Sequence, residues 1–212
     1  ILVTGANGFL GNYLIPELLK RKYEVIATGK GKCRIKVTDT FVYEEMDFTN
    51  VQSVNHVFST YKPEVIVHAG AISKPDECEE NRELAFDINT QGTINLLKAA
   101  IPLNSFFIFI STDFVFDGLK GMYNEKDSPT PVNYYGQTKL LAEEKVKEYV
   151  GEWCIVRTVL VYGRPQMGRE NLLTLVKKKN ENGEVFKVFT DQLRTPTYVE
   201  DLASAIISII DN

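Results

Sequence analysis

Cysteine and histidine are scarce in this chain of 212 residues, which has three cysteines and two histidines. Cys33, Cys78 and Cys154 are odd in number and lie far apart, so they form no disulfide framework. With only His56 and His68 beside them, they also make no plausible zinc site. The sequence therefore predicts no metal centre and a reducing compartment, and we expect the protein to be cytoplasmic.

The chain also lacks an excess of positive charge and any long apolar run. Its formal net charge is -4 and its isoelectric point is near 5.4, so nothing indicates nucleic-acid binding. The longest apolar run surrounds Phe106 to Ile110, which has the length of a strand and not of a bilayer span. We expect no signal peptide, no membrane partner and no nucleic-acid partner.

The overall composition is that of an ordinary globular protein, with 44% hydrophobic and 25% charged residues. The chain is long enough to form one large core. The chain starts in an apolar strand pattern and stops just after an apolar helix pattern, so we expect both ends to be incomplete. Because no repeat, low-complexity segment or linker divides the chain, we predict a single dinucleotide-binding domain over 1–212.

Short apolar runs alternate with helical patterns along the chain. Strands are predicted at 1–4, 23–28, 41–45, 64–68, 105–111, 153–157 and 185–189. Helices are predicted at 10–19, 51–61, 80–100, 134–150, 171–180 and 199–210. Because strand runs such as 64–68 are apolar on both faces, they suit a buried parallel sheet. The pattern predicts an α/β fold with a Rossmann-type doubly wound parallel sheet.

The turn after the first predicted strand is rich in glycine. Gly5, Gly8 and Gly11 form a G-x-x-G-x-x-G pattern between this strand and the next helix. Glycines let the backbone approach a pyrophosphate, whose charge then meets the helix N-terminus. An isolated pattern of this kind is often only a turn, but its position between a strand and a helix predicts dinucleotide binding.

The end of the second predicted strand carries basic residues. An acid about 20 residues beyond the glycine loop would accept hydrogen bonds from the ribose of NAD, but the sequence has Gly29 and Lys30 here. Lys30, Lys32 and Arg34 could neutralise a 2′-phosphate, which favours NADPH over NADH. Alternatively, they form a solvated basic loop.

The third and fourth predicted strands also end in candidate residues. Asp47, followed by Phe48, could accept a hydrogen bond from the adenine amine, or Asp47 could cap the next helix. His68 suits a packed histidine better than a catalytic base. Small residues that would let a cofactor lie across the backbone follow it, namely Ala69, Gly70, Ala71 and Ser73.

The fifth predicted strand and the helix after it carry the candidate chemistry. Ser111, Thr112 and Asp113 end the strand, and a hydroxyl there could hydrogen-bond a substrate carbonyl or merely end the strand. Tyr135 and Lys139 are four residues apart, so they share one helix face. An ammonium beside a phenol favours the phenolate and would lower the pKa of Tyr135. Chance produces this spacing too, on exposed amphipathic helices.

Taken in order, these motifs resemble the extended short-chain dehydrogenase/reductase family over residues 1–205. Within that family the chain is most similar to dTDP-4-dehydrorhamnose reductases. The similar segments are 111–118, 123–125, 131–133, 157–163, 191–192 and 195–197. The resemblance implies an NAD(P)-dependent oxidoreductase that reduces the 4-keto group of a nucleotide-activated deoxysugar, in nucleotide-sugar and surface polysaccharide synthesis.

The resemblance also implies roles for individual residues. Tyr135 would give a proton to the C4 carbonyl oxygen, Lys139 would hold the nicotinamide ribose, and Thr112 would orient the carbonyl. Asp113 would contact the sugar. Arg194 departs from the reductases and is similar to the epimerase and dehydratase relatives, in which such an arginine grips a substrate diphosphate; alternatively, it forms only a rim salt bridge. The positions expected to bind NADP(H) or NAD(H) are Gly5, Asn7, Gly8, Phe9, Leu10, Gly11, Gly29, Lys30, Asp47, Phe48, Ala69, Gly70, Ala71, Ser73, Asn89, Ser111, Tyr135 and Lys139.

Some features depart from the reductases and leave other functions open. The reductases usually have glutamine at the position of Phe9 and tryptophan at that of Leu160, so the sugar is open. Residues 157–212 would form a minor, partial substrate-binding portion. The alternatives are a 4-epimerase or dehydratase that retains its NAD, and a noncatalytic dinucleotide-binding regulatory subunit. The family also leads us to expect a homodimer.

Overall fold

The computed structural model describes residues 1–37, 40–165 and 171–212. The strands in these ranges are β1 (Leu2–Thr4), β2 (Ile26–Gly29), β3 (Val42–Glu45), β4 (Val65–His68), β5 (Phe106–Thr112) and β6 (Trp153–Thr158). The helices are α1 (Gly11–Lys20), α2 (Val51–Tyr61), α3 (Pro75–Glu80), α4 (Arg82–Phe86), α5 (Gly92–Ala100), α6 (Tyr134–Lys147), α7 (Leu172–Glu181) and α8 (Val199–Asp211).

The six strands form one parallel sheet in the order β3-β2-β1-β4-β5-β6. This is the strand order of the Rossmann doubly wound fold, so the predicted fold class is confirmed. Thr4 at the end of β1 pairs with Thr28 of β2 and with His68 of β4. The strand order reverses between β1 and β4, and in such sheets ligands bind outside the carboxyl ends at this point.

Two apolar cores lie on opposite faces of the sheet. Leu2 belongs to the core that α2, α5 and α6 cover, whereas its neighbour Val3 belongs to the core under α1 and α8. This division follows from the alternation of side chains along a strand. Burying a leucine or phenylalanine side chain contributes about 1.5–3 kcal/mol, so the two cores clamp the short strands and fix the positions of their ends.

Three predicted elements differ from the structure. The predicted strand 185–189 is not a strand: it pairs with no strand of the described structure, and Val185, Val188 and Phe189 are exposed. The predicted helix 80–100 is interrupted at Asn81, where φ is -130° and ψ is 61°, and a π-helical turn at Asp87–Gln91 joins α4 to α5. The second strand begins at Ile26 and not at Tyr23.

No described helix combines the length and apolarity needed to cross a bilayer. The described residues also hold no group of three or more His, Cys, Asp or Glu side chains that could bind a metal ion. Cys33, Cys78 and Cys154 are free thiols.

Candidate active site

The glycine loop folds tightly against the ends of β1 and β4. Gly5 has φ of 67°, and a Cβ there would lie 2.7 Å from the Gly70 amide nitrogen and 2.8 Å from the Ala69 carbonyl. The amide of Gly8 donates to the Gly5 carbonyl at 2.7 Å. A Cβ on Gly11 would overlap the backbone of Ala6. The three glycines are therefore required by close backbone packing.

The N-terminus of α1 faces this loop without a protein anion. Leu10 occupies the N-cap position and makes no side-chain cap, and the first turn of α1, which is fully described, contains no acidic residue. The positive end of the helix dipole is therefore left for an external anion such as a phosphate. Phe9 lies beside it and packs edge-to-face against Tyr13, with 5.6 Å between the ring centroids.

The loop after β2 carries the predicted basic residues. Lys30 forms an ion pair with Asp47 at 3.0 Å, while Lys32 and Arg34 are exposed. Burial opposes ionisation of Asp47, but hydrogen bonds from Thr49 and Lys30 outweigh it and lower the pKa of the Asp47 carboxyl. The alternative that Asp47 caps α2 is wrong.

The cap of α2 is Asn50, whose side chain accepts a hydrogen bond from Ser53. Phe48, predicted beside the adenine, packs edge-to-face against His68 at 5.2 Å between ring centroids. It fills the space that Cβ atoms on Gly70 and Gly92 would occupy, so it serves as a packing residue at the end of β4.

His68 is a packed histidine, as the sequence suggested. It is 1% exposed, and its ring nitrogens bond the hydroxyls of Thr4 at 2.6 Å and Thr93 at 3.0 Å. Burial, with the nearby Lys139 charge, lowers its pKa well below the ordinary value. Ala69 is half-buried and Gly70 buried after it, while Ala71 and Ser73 are exposed.

Asn89 lies in the π-helical turn, and its side chain is committed to the protein. Its Oδ1 accepts the Ile72 amide at 2.8 Å, and its Nδ2 donates to the Ile72 carbonyl and to the Thr138 hydroxyl, both at 3.0 Å. Asn89 thus ties the loop after β4 to α6, and its effect on a ligand would pass through that loop.

Tyr135 sits where α6 packs against the end of β5. Asn133 caps α6 by accepting the Gly136 amide at 2.8 Å, and a Cβ on Gly136 would overlap the Phe114 carbonyl. This close approach holds the Tyr135 ring edge-to-face against Phe114, with 5.7 Å between centroids. The Thr112 side chain acts on the Tyr135 hydroxyl and favours its ionised form. The structure therefore brings the predicted Thr112 and Tyr135 together.

The charge states of Tyr135 and Lys139 differ from the expectation. Burial raises the pKa of Tyr135 to about 12, and the Thr112 side chain offsets part of the rise. Burial lowers the pKa of Lys139 to about 7, against the opposing effect of Glu143. The prediction that Lys139 lowers the Tyr135 pKa is wrong here, because the Lys139 ammonium donates to the Ile110 carbonyl at 2.8 Å and lies 3.9 Å from the Phe109 ring centroid.

Two charged residues near the site were not predicted as site residues from the sequence. Glu143 is fully buried and forms a bidentate ion pair with Arg157, at 2.9 Å and 2.6 Å. The Ser111 hydroxyl donates to the same carboxylate at 2.6 Å, so its side chain faces this pair and not a cofactor. The available signal was the spacing of Glu143, which lies one turn beyond Lys139 on the same helix face.

The predicted substrate residues meet at the rim of the site. Arg194 forms an ion pair with Asp113 at 3.1 Å, and its guanidinium carbon lies 4.7 Å from the Phe114 ring centroid. The alternative of a rim salt bridge therefore describes this structure. Burial raises the pKa of the Asp113 carboxyl, and Arg194 opposes this shift.

The chain matches the family model described as the RmlD substrate binding domain over residues 1–212. It is 32% identical over 205 residues to methionine adenosyltransferase 2 subunit beta of Bos taurus, an alignment that covers 96% of this chain and 60% of that protein. It is 34% identical to the spore coat polysaccharide biosynthesis protein SpsK of Bacillus subtilis, over 100% of this chain and 70% of that protein.

Solved structures show the same similarity. A dTDP-4-dehydrorhamnose reductase from Clostridium acetobutylicum superposes with a TM-score of 0.86 at 37% identity, covering 99% of this chain and 69% of that one. A dTDP-4-dehydrorhamnose reductase from Bacillus anthracis, solved in complex with NADP, has a TM-score of 0.86 at 32% identity, with 100% and 70% covered. The chain thus spans 60 to 70% of the length of these relatives.

Proposed function

The chain belongs to the RmlD substrate binding domain family, within the extended short-chain dehydrogenases/reductases, and from this membership we propose that it is an NAD(P)H-dependent reductase. Its substrate would be the 4-keto group of a nucleotide-activated deoxysugar, in nucleotide-sugar and surface polysaccharide synthesis. The observation that carries the proposal is the buried Tyr135, beside Thr112 at the carboxyl end of β5 and with Lys139 one helical turn away.

The residues around the glycine loop fit a nicotinamide dinucleotide. The free N-terminus of α1 suits the pyrophosphate, and the close packing of Gly5 on Gly70 brings the ends of β1 and β4 together without side chains between them. Among the relatives, the Bacillus anthracis reductase was solved with NADP. When bound, the reduced nicotinamide supplies the hydride that converts the carbonyl carbon to an alcohol carbon.

Tyr135 has the protonation state that a reduction requires. With a pKa of about 12, its phenol stays protonated at neutral pH and can give its proton to the carbonyl oxygen as negative charge develops there. The Thr112 hydroxyl would donate to the same oxygen and orient it. Lys139, with a pKa of about 7, is partly charged at neutral pH and would hold the nicotinamide ribose.

The finer assignments rest on charge. We favour NADPH over NADH because the loop after β2 carries Lys30, Lys32 and Arg34 and no acid at its start. A nucleotide diphosphate would compete with Asp113 for the Arg194 guanidinium, since both are bidentate anions for arginine. Arg194 reaches the site from the region 157–212, which supports a role for this region in substrate binding. We further propose a cytoplasmic homodimer, which size-exclusion chromatography with light scattering tests.

The first prediction concerns Tyr135→Phe. We expect NADPH oxidation with a dTDP-4-keto-6-deoxymannose-type substrate to slow about 10²–10⁴-fold, because the proton donor is lost. Calorimetric titration should show an NADPH affinity within about twofold of wild type. Tyr134→Phe is the matched control, since the Tyr134 ring packs under the Arg82 guanidinium. Unchanged turnover in Tyr135→Phe would contradict the mechanism.

A second candidate function is a noncatalytic dinucleotide-binding regulatory subunit. The 32% identity to methionine adenosyltransferase 2 subunit beta favours it, whereas Thr112, Tyr135 and Lys139 support catalysis. The two functions separate in one experiment on the wild-type protein. NADPH binding without turnover of any keto sugar, together with coelution with a methionine adenosyltransferase, would favour the subunit; turnover would favour the reductase. Copurified NAD with no net consumption would instead indicate an epimerase or dehydratase.

A further inference from the structure

A set of hydrogen bonds joins the glycine loop to the basic loop after β2. The Nδ2 of Asn7 donates to the Tyr43 hydroxyl at 2.8 Å and to the Lys32 carbonyl at 3.1 Å. Its Oδ1 accepts the Arg34 amide at 2.8 Å. The Tyr43 hydroxyl donates in turn to the Gly31 carbonyl at 2.7 Å. We call Asn7 and Tyr43 the loop clamp, because together they hold three backbone groups of 31–34.

The loop clamp depends on the absence of a side chain at Gly29. A Cβ there would lie 3.0 Å from the Tyr43 hydroxyl and 3.2 Å from the Asn7 Nδ2. Glu45 adds a further bond, accepting the Gly31 amide at 3.0 Å. The side chain of Tyr43 is half-buried, so its hydroxyl bonds are partly shielded from water. The conformation of 31–34 is therefore determined from β3 and from the glycine loop.

The basic residues of the loop after β2 differ in their surroundings. Lys30 is paired with Asp47, whereas Lys32 and Arg34 are exposed on the backbone segment that the loop clamp fixes. Arg34 acts electrostatically on the Tyr43 hydroxyl, which places its charge near the clamp. Two cations on a fixed backbone next to the glycine loop suit a phosphate monoester, which both arginine and lysine bind.

We propose that the loop clamp positions Lys32 and Arg34 to receive the 2′-phosphate of NADPH, so that Asn7 and Tyr43 are positioning residues for cofactor selectivity. The inference rests on the proposed function, since it requires a nicotinamide dinucleotide on the glycine loop. The physical basis is preorganisation: a loop already fixed in its binding conformation loses less conformational entropy when the phosphate binds. NADH lacks the 2′-phosphate, so its affinity does not depend on this fixed conformation.

The second prediction is made with Tyr43→Phe, measured by calorimetric titration with NADPH and with NADH. Wild type should bind NADPH more tightly. The variant should bind NADPH about tenfold more weakly and NADH within about twofold of wild type. Tyr61→Phe is the matched control. The Tyr61 hydroxyl also bonds a residue of β3, since it donates to the Glu44 carboxylate at 2.5 Å, and removing it leaves the loop clamp unchanged.

A double-mutant cycle tests whether the loop clamp acts through the two cations. Lys32→Ala/Arg34→Ala changes only exposed side chains and should lose NADPH selectivity by itself, even if Tyr43→Phe fails to fold. Adding Tyr43→Phe to it should weaken NADPH binding little further, because both changes remove the same contact. Fully additive losses, or equal losses for NADPH and NADH, would overturn the inference. Wild type that binds neither cofactor would overturn the proposed function as well, whereas unchanged selectivity in Tyr43→Phe overturns only the inference.

Discussion

At the scale of single residues, burial controls the chemistry of the site. Tyr135 and Lys139 are both almost fully buried, and each is shifted towards its neutral form, since a low-dielectric environment disfavours charge. A neutral phenol suits proton donation to a carbonyl. A lysine with a pKa of about 7 can change its charge near neutral pH.

Burial of the Lys139 ammonium lowers the stability of the folded protein, and this effect is the basis of the third prediction. Its pKa is 10.5 ordinarily and about 7 in the folded protein, so between these values the unfolded chain binds more protons and stability rises with pH. Below about pH 7 the full cost is present. Lys139→Met should therefore raise the melting temperature at pH 7, by ~2–4 °C per kcal/mol gained, while abolishing keto-sugar turnover.

Differential scanning calorimetry at pH 7 measures this effect. Lys98→Met, on the exposed side of α5, serves as the control and should leave the melting temperature nearly unchanged. A lower melting temperature for Lys139→Met would show that the bond from Lys139 to the Ile110 carbonyl stabilises more than burial of the ammonium costs.

At the scale of secondary-structure elements, α6 is the element that assembles the site. Its first turn packs against the Phe114 carbonyl through Gly136, and its middle is joined to β6 by the ion pair of Glu143 with Arg157. Ser111 links β5 to the same carboxylate. The helix that carries Tyr135 is therefore attached to both strands that border the site.

The fourth prediction concerns the ion pair between α6 and β6. Arg157→Met leaves the Glu143 carboxylate buried without its partner and should lower the free energy of unfolding by about 3–5 kcal/mol. Replacing both residues, as Glu143→Leu/Arg157→Met, should recover most of the loss, because no buried charge remains. Urea denaturation measures both variants, and Arg82→Met, which breaks an exposed pair with Glu79, should change little. A double variant no more stable than Arg157→Met would refute this account.

At the scale of the whole molecule, His68 links the middle of the sheet to the helical layer. It bonds Thr4 on β1 and Thr93 on α5, and it contacts the rings of Phe107 and Phe109 on β5. Because this ring is buried and its pKa lies well below the ordinary value, the folded protein disfavours its protonated form.

The fifth prediction is a loss of stability in mild acid. The pKa of His68 is ordinarily 6.5 and lies well below that value in the folded protein, so below pH 6.5 the unfolded chain binds a proton that the folded chain does not. The free energy of unfolding should fall with pH there, by at most about 1.4 kcal/mol per pH unit from this residue.

Urea denaturation between pH 7.5 and 5 follows this loss, and the two histidines offer a matched pair. His68→Gln should reduce the dependence on pH, whereas His56→Gln, on the exposed face of α2, should retain it. An equal pH dependence in all three proteins would contradict the assignment to His68.

The fold and the ligand-binding edge were predictable because they depend on local patterns. Apolar runs of strand length, helical periodicity and the glycine spacing at 5, 8 and 11 are read from neighbouring residues, and they predicted all six strands of the described structure in order. The predicted strand 185–189 was wrong because an apolar run of strand length does not form a strand without a pairing partner, and 185–189 pairs with no strand of the described structure. The order of the strands in the sheet agrees with the prediction of a doubly wound fold.

The amino-acid sequence by itself thus determined the α/β architecture, the glycine loop and the pairing of Tyr135 with Lys139 on one helix. Only the tertiary structure decided their protonation, the commitment of Ser111 to Glu143 and the bond of Asn7 to Tyr43. The reason is physical: burial and hydrogen-bond partners come from residues far apart in the chain, 32 positions for Ser111 and Glu143 and 36 for Asn7 and Tyr43. Local patterns specify which residues are present at the strand ends, and long-range packing specifies what each can bind or donate.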